Sequence, residues 1–269
     1  VIKNKKITLV GCGKMGGAML KGWLSHGVLP NNITIIEPMQ DLENYSAKKI
    51  NVLKSPQNLP EDQDFCIFAV KPQHFEPAVS EYKTLNDNCV FISIAAGKTI
   101  AKMETILGYN RRIVRAMPNL PATVMSGLTA VSYNKNINKE NKLDVNSLFA
   151  SIGEVIEIEE SKLDIVTAIS GSGPAYIFYI IELLNKIGIE QGLKPDEALK
   201  LAKHTVFGSG KLTLSTDITP SELREAVTSK GGTTEEALKF LMKDNILENL
   251  FRTAIRAAEN RSKELSENI

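Results

Sequence analysis

Gly11-Cys12-Gly13-Lys14-Met15-Gly16 follows directly on an apolar run at residues 6–10, and no other stretch narrows the possible folds as much. In such a turn the first glycine permits the tight reversal and the second lets a bound group come close to the backbone. The third lets the following helix pack on the strand. Free N–H groups and the positive end of that helix then suit a pyrophosphate. The spacing predicts a dinucleotide site on a strand–turn–helix unit, with Gly11, Cys12, Gly13, Lys14, Met15 and Gly16 around the phosphates. Glu37 stands 21 residues after Gly16, at the end of the second apolar run. There an acidic side chain accepts hydrogen bonds from an adenosine ribose and repels a 2′-phosphate. No arginine stands nearby, so the sequence leans to NADH over NADPH. The plainer alternative is that Glu37, just before Pro38, only faces solvent.

Short apolar runs alternate with helical patterns over roughly the first 155 residues, the signature of a largely parallel α/β sheet. Strands are expected at residues 6–10, 33–36, 65–70, 90–94, 113–116, 128–132 and 154–158, and helices at 15–26, 75–82 and 100–107. Residues 133–146 are polar and read as a surface connection or a helix start. Beyond about Glu160 no strand is convincing. Pro174 and Pro195 open helices, and Thr219-Pro220-Ser221-Glu222 and Thr233-Thr234-Glu235-Glu236 look like capping boxes. Leu247, Leu250, Phe251, Ala254, Ile255 and Ala258 form the stripe of a long last helix. The expected fold is a dinucleotide-binding α/β domain over residues 1–160 and an all-helical domain over 161–269.

The helix after Pro174 is apolar on every side through Tyr176, Ile177, Phe178, Tyr179, Ile180 and Ile181. A helix wrapped all round in apolar side chains must be covered all round. Either it is the central helix of one protomer, or the helical domain buries it against a second copy. No stretch reaches the ~18 apolar residues of a membrane span, since Glu182 closes this one. Lys plus Arg (32) nearly balances Asp plus Glu (31), so charge makes no case for nucleic acid or a membrane surface. Cys12, Cys66 and Cys89 lack paired spacing and read as reduced core thiols of a cytoplasmic protein. His26, His74 and His204 lie far apart, so no metal site is expected.

Further motifs follow in order: Ala69-Val70-Lys71-Pro72-Gln73, Ser93-Ile94-Ala95-Ala96-Gly97, and Arg115-Ala116-Met117-Pro118-Asn119-Leu120-Pro121-Ala122. Thr167-Ala168-Ile169-Ser170-Gly171-Ser172-Gly173-Pro174-Ala175-Tyr176 and Ser229-Lys230-Gly231-Gly232-Thr233-Thr234 complete the set. Together they resemble the pyrroline-5-carboxylate reductase family from residue 7 to about residue 260. The resemblance implies a Rossmann-type domain followed by a helical dimerisation domain. It also implies reduction of the cyclic imine 1-pyrroline-5-carboxylate to L-proline by NADH or NADPH, in a homodimer that can assemble into a decamer.

By that resemblance Ala69, Val70, Lys71 and Pro72 pass the cofactor. Ala95, Ala96, Gly97 and Asn119 lie towards its nicotinamide, and Asn58 reaches the adenine ribose. Residues 70–72, residues 95–97 and Asn119 fall at the carboxyl ends of strands, where open α/β sheets bind their ligands. The substrate carboxylate is expected at Ser229, Gly231, Gly232 and Thr233, where a helix start offers free N–H groups. The Thr234 hydroxyl would bond the ring nitrogen and is the one candidate catalytic residue. Glu160, Ser170, Gly171, Ser172 and Gly173 would border the pocket. Read locally, Thr233 could be a plain N-cap and the glycines a plain turn. Many family members have proline in place of Lys230 and threonine in place of Leu120; Lys230 would add positive charge near the carboxylate.

Two other functions compete. A β-hydroxyacid dehydrogenase would use a helical lysine as its acid, with Lys186 or Lys203 as candidates by position alone. A nucleotide-sensing dimer would keep the fold without turnover.

Overall fold

The computed structural model describes residues 2–39, Tyr45 and residues 49–267. Contacts divide the chain into two compact units, Val1–Gly171 with Ala258–Ile269, and Ser172–Ala257.

The first unit is built on one eight-stranded sheet. In chain order its strands are β1 (Ile7–Val10), β2 (Ile33–Ile36), β3 (Asn51–Leu53), β4 (Phe65–Phe68), β5 (Val90–Ser93), β6 (Arg112–Met117), β7 (Gly127–Tyr133) and β8 (Gly153–Glu157). Their spatial order is β3-β2-β1-β4-β5-β6-β7-β8. β1 lies at the middle of the nucleotide-binding half, with Ile7 opposite Ile33 on one side and Phe65 on the other, both in parallel register. The sheet is not wholly parallel: β7 runs antiparallel to β6 and parallel to β8. β3 is an eighth strand that the apolar runs did not indicate. It has three residues at the sheet edge and begins with the exposed Asn51, so it carries little apolar signal.

The fully apolar strands are buried on both faces. Ile7, Leu9, Phe65, Ile67, Val90, Ile92 and Val114 join one core with Met19, Leu20 and Trp23. Val10, Cys66, Phe68, Phe91 and Ile113 join the other with Phe75, Val79, Met103 and Leu107. This is the two-residue period of a strand packed above and below. Helix α1 (Lys14–Ser25) supplies the first face, where Trp23 Nε1 donates to the carbonyl of Leu148 at 3.1 Å. Helices α2 (Phe75–Ser80) and α3 (Ile100–Leu107) supply the second. The polar stretch 133–146 becomes helix α4 (Lys139–Ala150), started by Asn138, whose side chain accepts from the Asn141 N–H at 2.8 Å. A short helix, α5 (Leu163–Val166), runs into a π-helical turn, Thr167–Gly171.

The second unit holds α6 (Gly173–Glu190), α7 (Pro195–Leu214), α8 (Pro220–Ala226), α9 (Thr233–Leu241) and α10 (Ile246–Glu267) as far as Ala257. Two expectations change here. The box at Thr219 forms, with its hydroxyl accepting from the Glu222 N–H, but the one at Thr233 does not. Gly232 is the N-cap instead, and Thr233 is already helical. The other concerns the apolar helix. The π turn keeps the backbone helical through Ser170–Pro174, so Glu160–Glu190 is one stretch long and apolar enough to cross a membrane by length and composition. No residue of α6 is buried within the chain, and Phe178 and Tyr179 are 55% and 58% exposed. A central helix within one protomer is thereby excluded.

Candidate functional site

The glycine turn has the shape its spacing predicts. Gly11 has a φ of 89°, and a Cβ there would lie 2.8 Å from the Ala69 carbonyl oxygen. A Cβ on Gly16 would lie 2.4 Å from the Gly11 carbonyl oxygen, so α1 presses on the turn. Above Gly13, by contrast, nothing comes within 4 Å of an added Cβ. Gly13 is also the N-cap of α1, with no side-chain cap and no acidic residue in the first turn. An open helix start with no side-chain cap and no acidic residue in its first turn fits a pyrophosphate. Lys14 is exposed and Met15 packs on the core.

Glu37 is buried at 7% exposure and does not face solvent. Its Oε2 accepts from the Cys12 N–H at 3.0 Å and its Oε1 from the Met39 N–H at 3.1 Å. Each oxygen keeps a second acceptor position, so the carboxylate braces the turn and can still accept from a ribose hydroxyl. Burial, with the Glu37 charge second, raises the pKa of the Cys12 thiol, so that sulfur stays protonated and inert. Asn58 is exposed at the end of a 3₁₀ turn after β3.

Ala69 follows β4 and donates to the Val10 carbonyl at 2.8 Å, which draws the loop of Val70, Lys71 and Pro72 up beside the turn. Ala95 and Ala96 follow β5, and Ala95 N–H donates to Ser93 Oγ. Gly97 has a φ of 73°, and a Cβ there would lie 2.9 Å from Leu265, so the end of α10 occupies the space above it. Asn119 bridges two motifs. Its Nδ2 lies 3.1 Å from Ser170 Oγ and its Oδ1 accepts from the Leu128 N–H at 2.9 Å. Gly171 lets Met117 approach, since a Cβ there would meet its Cε at 2.5 Å.

Glu160 is already engaged. Its Oε1 accepts from the Ile100 N–H at 2.7 Å, holding the start of α3, and lies 3.5 Å from Arg115 Nη1. Arg115 Nη2 reaches Asp164 at 3.1 Å, and Ser262 donates to the same Asp164 oxygen at 2.8 Å. Arg115 received no role from the sequence. The available signal was an arginine inside an apolar strand, which requires a buried partner.

The remaining candidates lie in the second unit. Ser172 is the N-cap of α6, and Gly173 opens the helix with empty space at its Cβ position. Gly231 has a φ of 72°, which turns its N–H to Glu235 Oε2 at 2.7 Å. Gly232 donates to the Ser229 carbonyl at 3.0 Å. These two amides are therefore committed. The first-turn N–H groups of Thr233 and Thr234 are left at the uncapped start of α9. Thr234 is half-buried, while Lys230 is exposed. Among the described residues no three His, Cys, Asp or Glu side chains gather as metal ligands. Cys12, Cys66 and Cys89 are all free and buried.

Residues 160–265 match the family model for pyrroline-5-carboxylate reductase dimerisation, and residues 6–97 match that for NADP oxidoreductase, coenzyme F420-dependent. The pyrroline-5-carboxylate reductase of Escherichia coli (strain K12) is 37% identical, covering 99% of this chain and 98% of that protein. The structure of a pyrroline-5-carboxylate reductase from Coxiella burnetii superposes with a TM-score of 0.91 at 35% identity, over 98% of this chain and 99% of that one. The Plasmodium falciparum pyrroline carboxylate reductase with NADP bound gives a TM-score of 0.88 at 31% identity, over the same shares. With its uncapped glycine turn, its α9 start and relatives matched from end to end, the chain belongs to the pyrroline-5-carboxylate reductase family.

Proposed function

We propose that this chain reduces 1-pyrroline-5-carboxylate to L-proline with NADH or NADPH, the last step of proline biosynthesis. The cofactor lies on the α1 turn and the substrate on the start of α9. The observation that carries the substrate assignment is the uncapped α9 start at Gly232, with Thr234 in its first turn. The cofactor's reduced nicotinamide supplies the hydride. The protein's own residues bind and orient. The N–H groups of Thr233 and Thr234 hold the substrate carboxylate against the positive end of α9. Thr234 Oγ accepts from the protonated ring nitrogen and fixes which face of the C=N bond is presented. An iminium carbon that gains a hydride becomes a neutral secondary amine, so no side chain must deliver a proton. Alignment alone then accounts for much of the acceleration. This suits a chain whose three histidines are scattered.

Glu37 favours NADH through its ribose-facing charge, while the matched relative with bound NADP shows that the family's fold admits the phosphorylated cofactor. Asn119, held to Ser170, sits on the nicotinamide side. Glu160, Ser170, Gly171, Ser172 and Gly173 border the substrate, and Glu160 is paired with Arg115. The functional division is a cofactor domain over residues 1–160 and a substrate and dimerisation domain over 161–269. The uncovered face of α6 supports a homodimer, which by family resemblance can build into a decamer. Three buried, unpaired thiols suit a reducing cytoplasm.

The test is turnover of 1-pyrroline-5-carboxylate with each cofactor, followed by nicotinamide absorbance and by mass-spectrometric identification of proline. Dinucleotide binding without oxidation in the presence of the imine would overturn the reading in favour of a nucleotide sensor.

A further inference from the structure

Helices α2 and α3 and the loop after β4 border an open pocket of about 630 Å³ within the first unit, with Gln73, Pro77, Ser80, Lys83 and Thr105 exposed around it. Pro72, Pro77 and Ile106 give it apolar walls, and Glu76, Lys83 and Lys98 bring charge to it. Lys98 stands out among these. It is 1% exposed, and its Nζ forms no hydrogen bond with any described group. The Phe75 ring lies 5.8 Å from the ammonium. Glu76 lines the same cavity and its charge favours the Lys98 ammonium, but its Oε1 lies 3.2 Å from Lys102 Nζ and it makes no hydrogen bond with Lys98. Lys83 has no ion pair among the described residues either. The cavity therefore holds a buried ammonium that makes no hydrogen bond, one carboxylate shared with Lys102, and a second cation at its margin.

A buried ammonium without a partner is strongly disfavoured, and a ligand that brings an acceptor relieves that cost. Burial also pushes the Lys98 amine below the ordinary lysine range, with Glu76 opposing this and Lys102 adding to it. The two hydroxyls on the wall narrow the ligand further. Ser80 Oγ donates to the Pro77 carbonyl and Thr105 Oγ1 to the Ala101 carbonyl, so both oxygens are left as acceptors for donors on the ligand.

We propose that this cavity binds a small hydroxylated organic anion, a carboxylate or a phosphate ester, with its acid group on Lys98 and its hydroxyls towards Ser80 and Thr105. Pro72 alone of the cofactor candidates lines this pocket, and Lys98 directly follows Gly97 in the chain.

The test is calorimetric titration of the full chain, at constant ionic strength and neutral pH, with glycerol 3-phosphate, glycerate and glycerol. One of the two anions binds, which identifies the acid group, and neutral glycerol does not. Saturation with NADP+ leaves that binding in place. Lys98→Met weakens it at least tenfold and keeps or raises Tm, since it removes an unpaired buried charge. Lys83→Gln, at the margin, weakens it several-fold and serves as a second reading should Lys98→Met not fold. Anions that bind no better than glycerol would overturn the proposal. So would undiminished binding in a folded Lys98→Met or, where that variant does not fold, in Lys83→Gln. Loss of binding on NADP+ saturation would place the anion in the cofactor's own phosphate site and overturn it too.

Discussion

Glu37 Oε2 accepts a hydrogen bond from the Cys12 N–H at 3.0 Å, tying the end of β2 to the middle of the glycine turn. One carboxylate thus braces the glycine turn and, in the proposed cofactor pose, sets the charge that a ribose or a 2′-phosphate meets. The two roles separate by substitution. Glu37→Gln keeps an acceptor for Cys12 and removes the charge. We expect the ratio of kcat/KM for NADPH over NADH to rise several-fold, with thermal stability little changed. Glu37→Ala strands the Cys12 N–H as well. A buried donor left unpaired costs about 1–3 kcal/mol, so Tm should fall and binding of both cofactors should weaken. An unchanged cofactor ratio in Glu37→Gln would show that the carboxylate does not meet the ribose.

The turn's glycines predict a second contrast. A methyl group on Gly16 runs into the Gly11 carbonyl oxygen, whereas one on Gly13 enters open space. Gly16→Ala should therefore lose about 1–3 kcal/mol of stability through overpacking, seen in chemical denaturation. Gly13→Ala should unfold like the wild type yet raise KM for either dinucleotide about tenfold or more, equivalent to about 1.4 kcal/mol. Equal cofactor KM values for Gly13→Ala and wild type would remove the pyrophosphate from this turn.

Such local chemistry is what a linear sequence displays best. The order of glycines between β1 and α1 encodes its own geometry, because each Cβ clash arises from neighbours on that same turn or the adjoining strand end. The Arg115 cluster is the opposite case. Its acidic partners, Glu160 and Asp164, lie 45 and 49 residues away, so only the buried arginine was visible in advance. The start of α9 fell between the two. Its position is legible, but the sequence points to Thr233 as the cap, and only the positive φ of Gly231 shows Glu235 reaching back to that amide. β3, with three residues and an exposed first position, has no periodicity long enough to detect.

The hydroxyl of Thr234 offers a direct test of substrate orientation. Thr234→Val preserves shape and helix position while removing the acceptor for the ring nitrogen. A hydrogen bond to a charged group is worth about 1.5–3 kcal/mol, so kcat/KM for the imine should fall about 10- to 100-fold. The KM for the cofactor should stay constant. Thr234→Ser should restore most of the loss. A variant as active as wild type would leave the ring nitrogen without the partner assigned here.

Lys98 also makes stability depend on pH. Its folded pKa is lowered, chiefly by burial, with Lys102 adding to the shift and Glu76 opposing it; Lys83 is the other cation on the same cavity. Between that lowered value and the ordinary lysine value the unfolded chain binds more protons than the folded one. Stability attributable to this group therefore rises with pH across that window and is lowest below it. Denaturant midpoints measured from neutral to alkaline pH should rise more in wild type than in Lys98→Met, where the contribution is absent. Parallel curves would mean that Lys98 titrates as a solvated amine.

The last prediction concerns α6, none of whose residues is buried within the chain although Phe178 and Tyr179 sit among Ile177, Ile180 and Ile181. Apolar surface on this scale is stable in water only when something covers it. The matched dimerisation region spans this helix, which makes a second copy the natural cover. Phe178→Glu places a charge where that copy would pack, and burying an unpaired carboxylate is prohibitive. Light scattering should show the wild type as a dimer or a multiple of dimers and Phe178→Glu at the protomer mass, with reduced activity. Because Phe178 is 55% exposed in the lone chain, the protomer itself should tolerate the substitution, and far-UV circular dichroism should be retained. If Phe178→Glu kept the wild-type mass, α6 would have to be covered by something other than another copy of this chain.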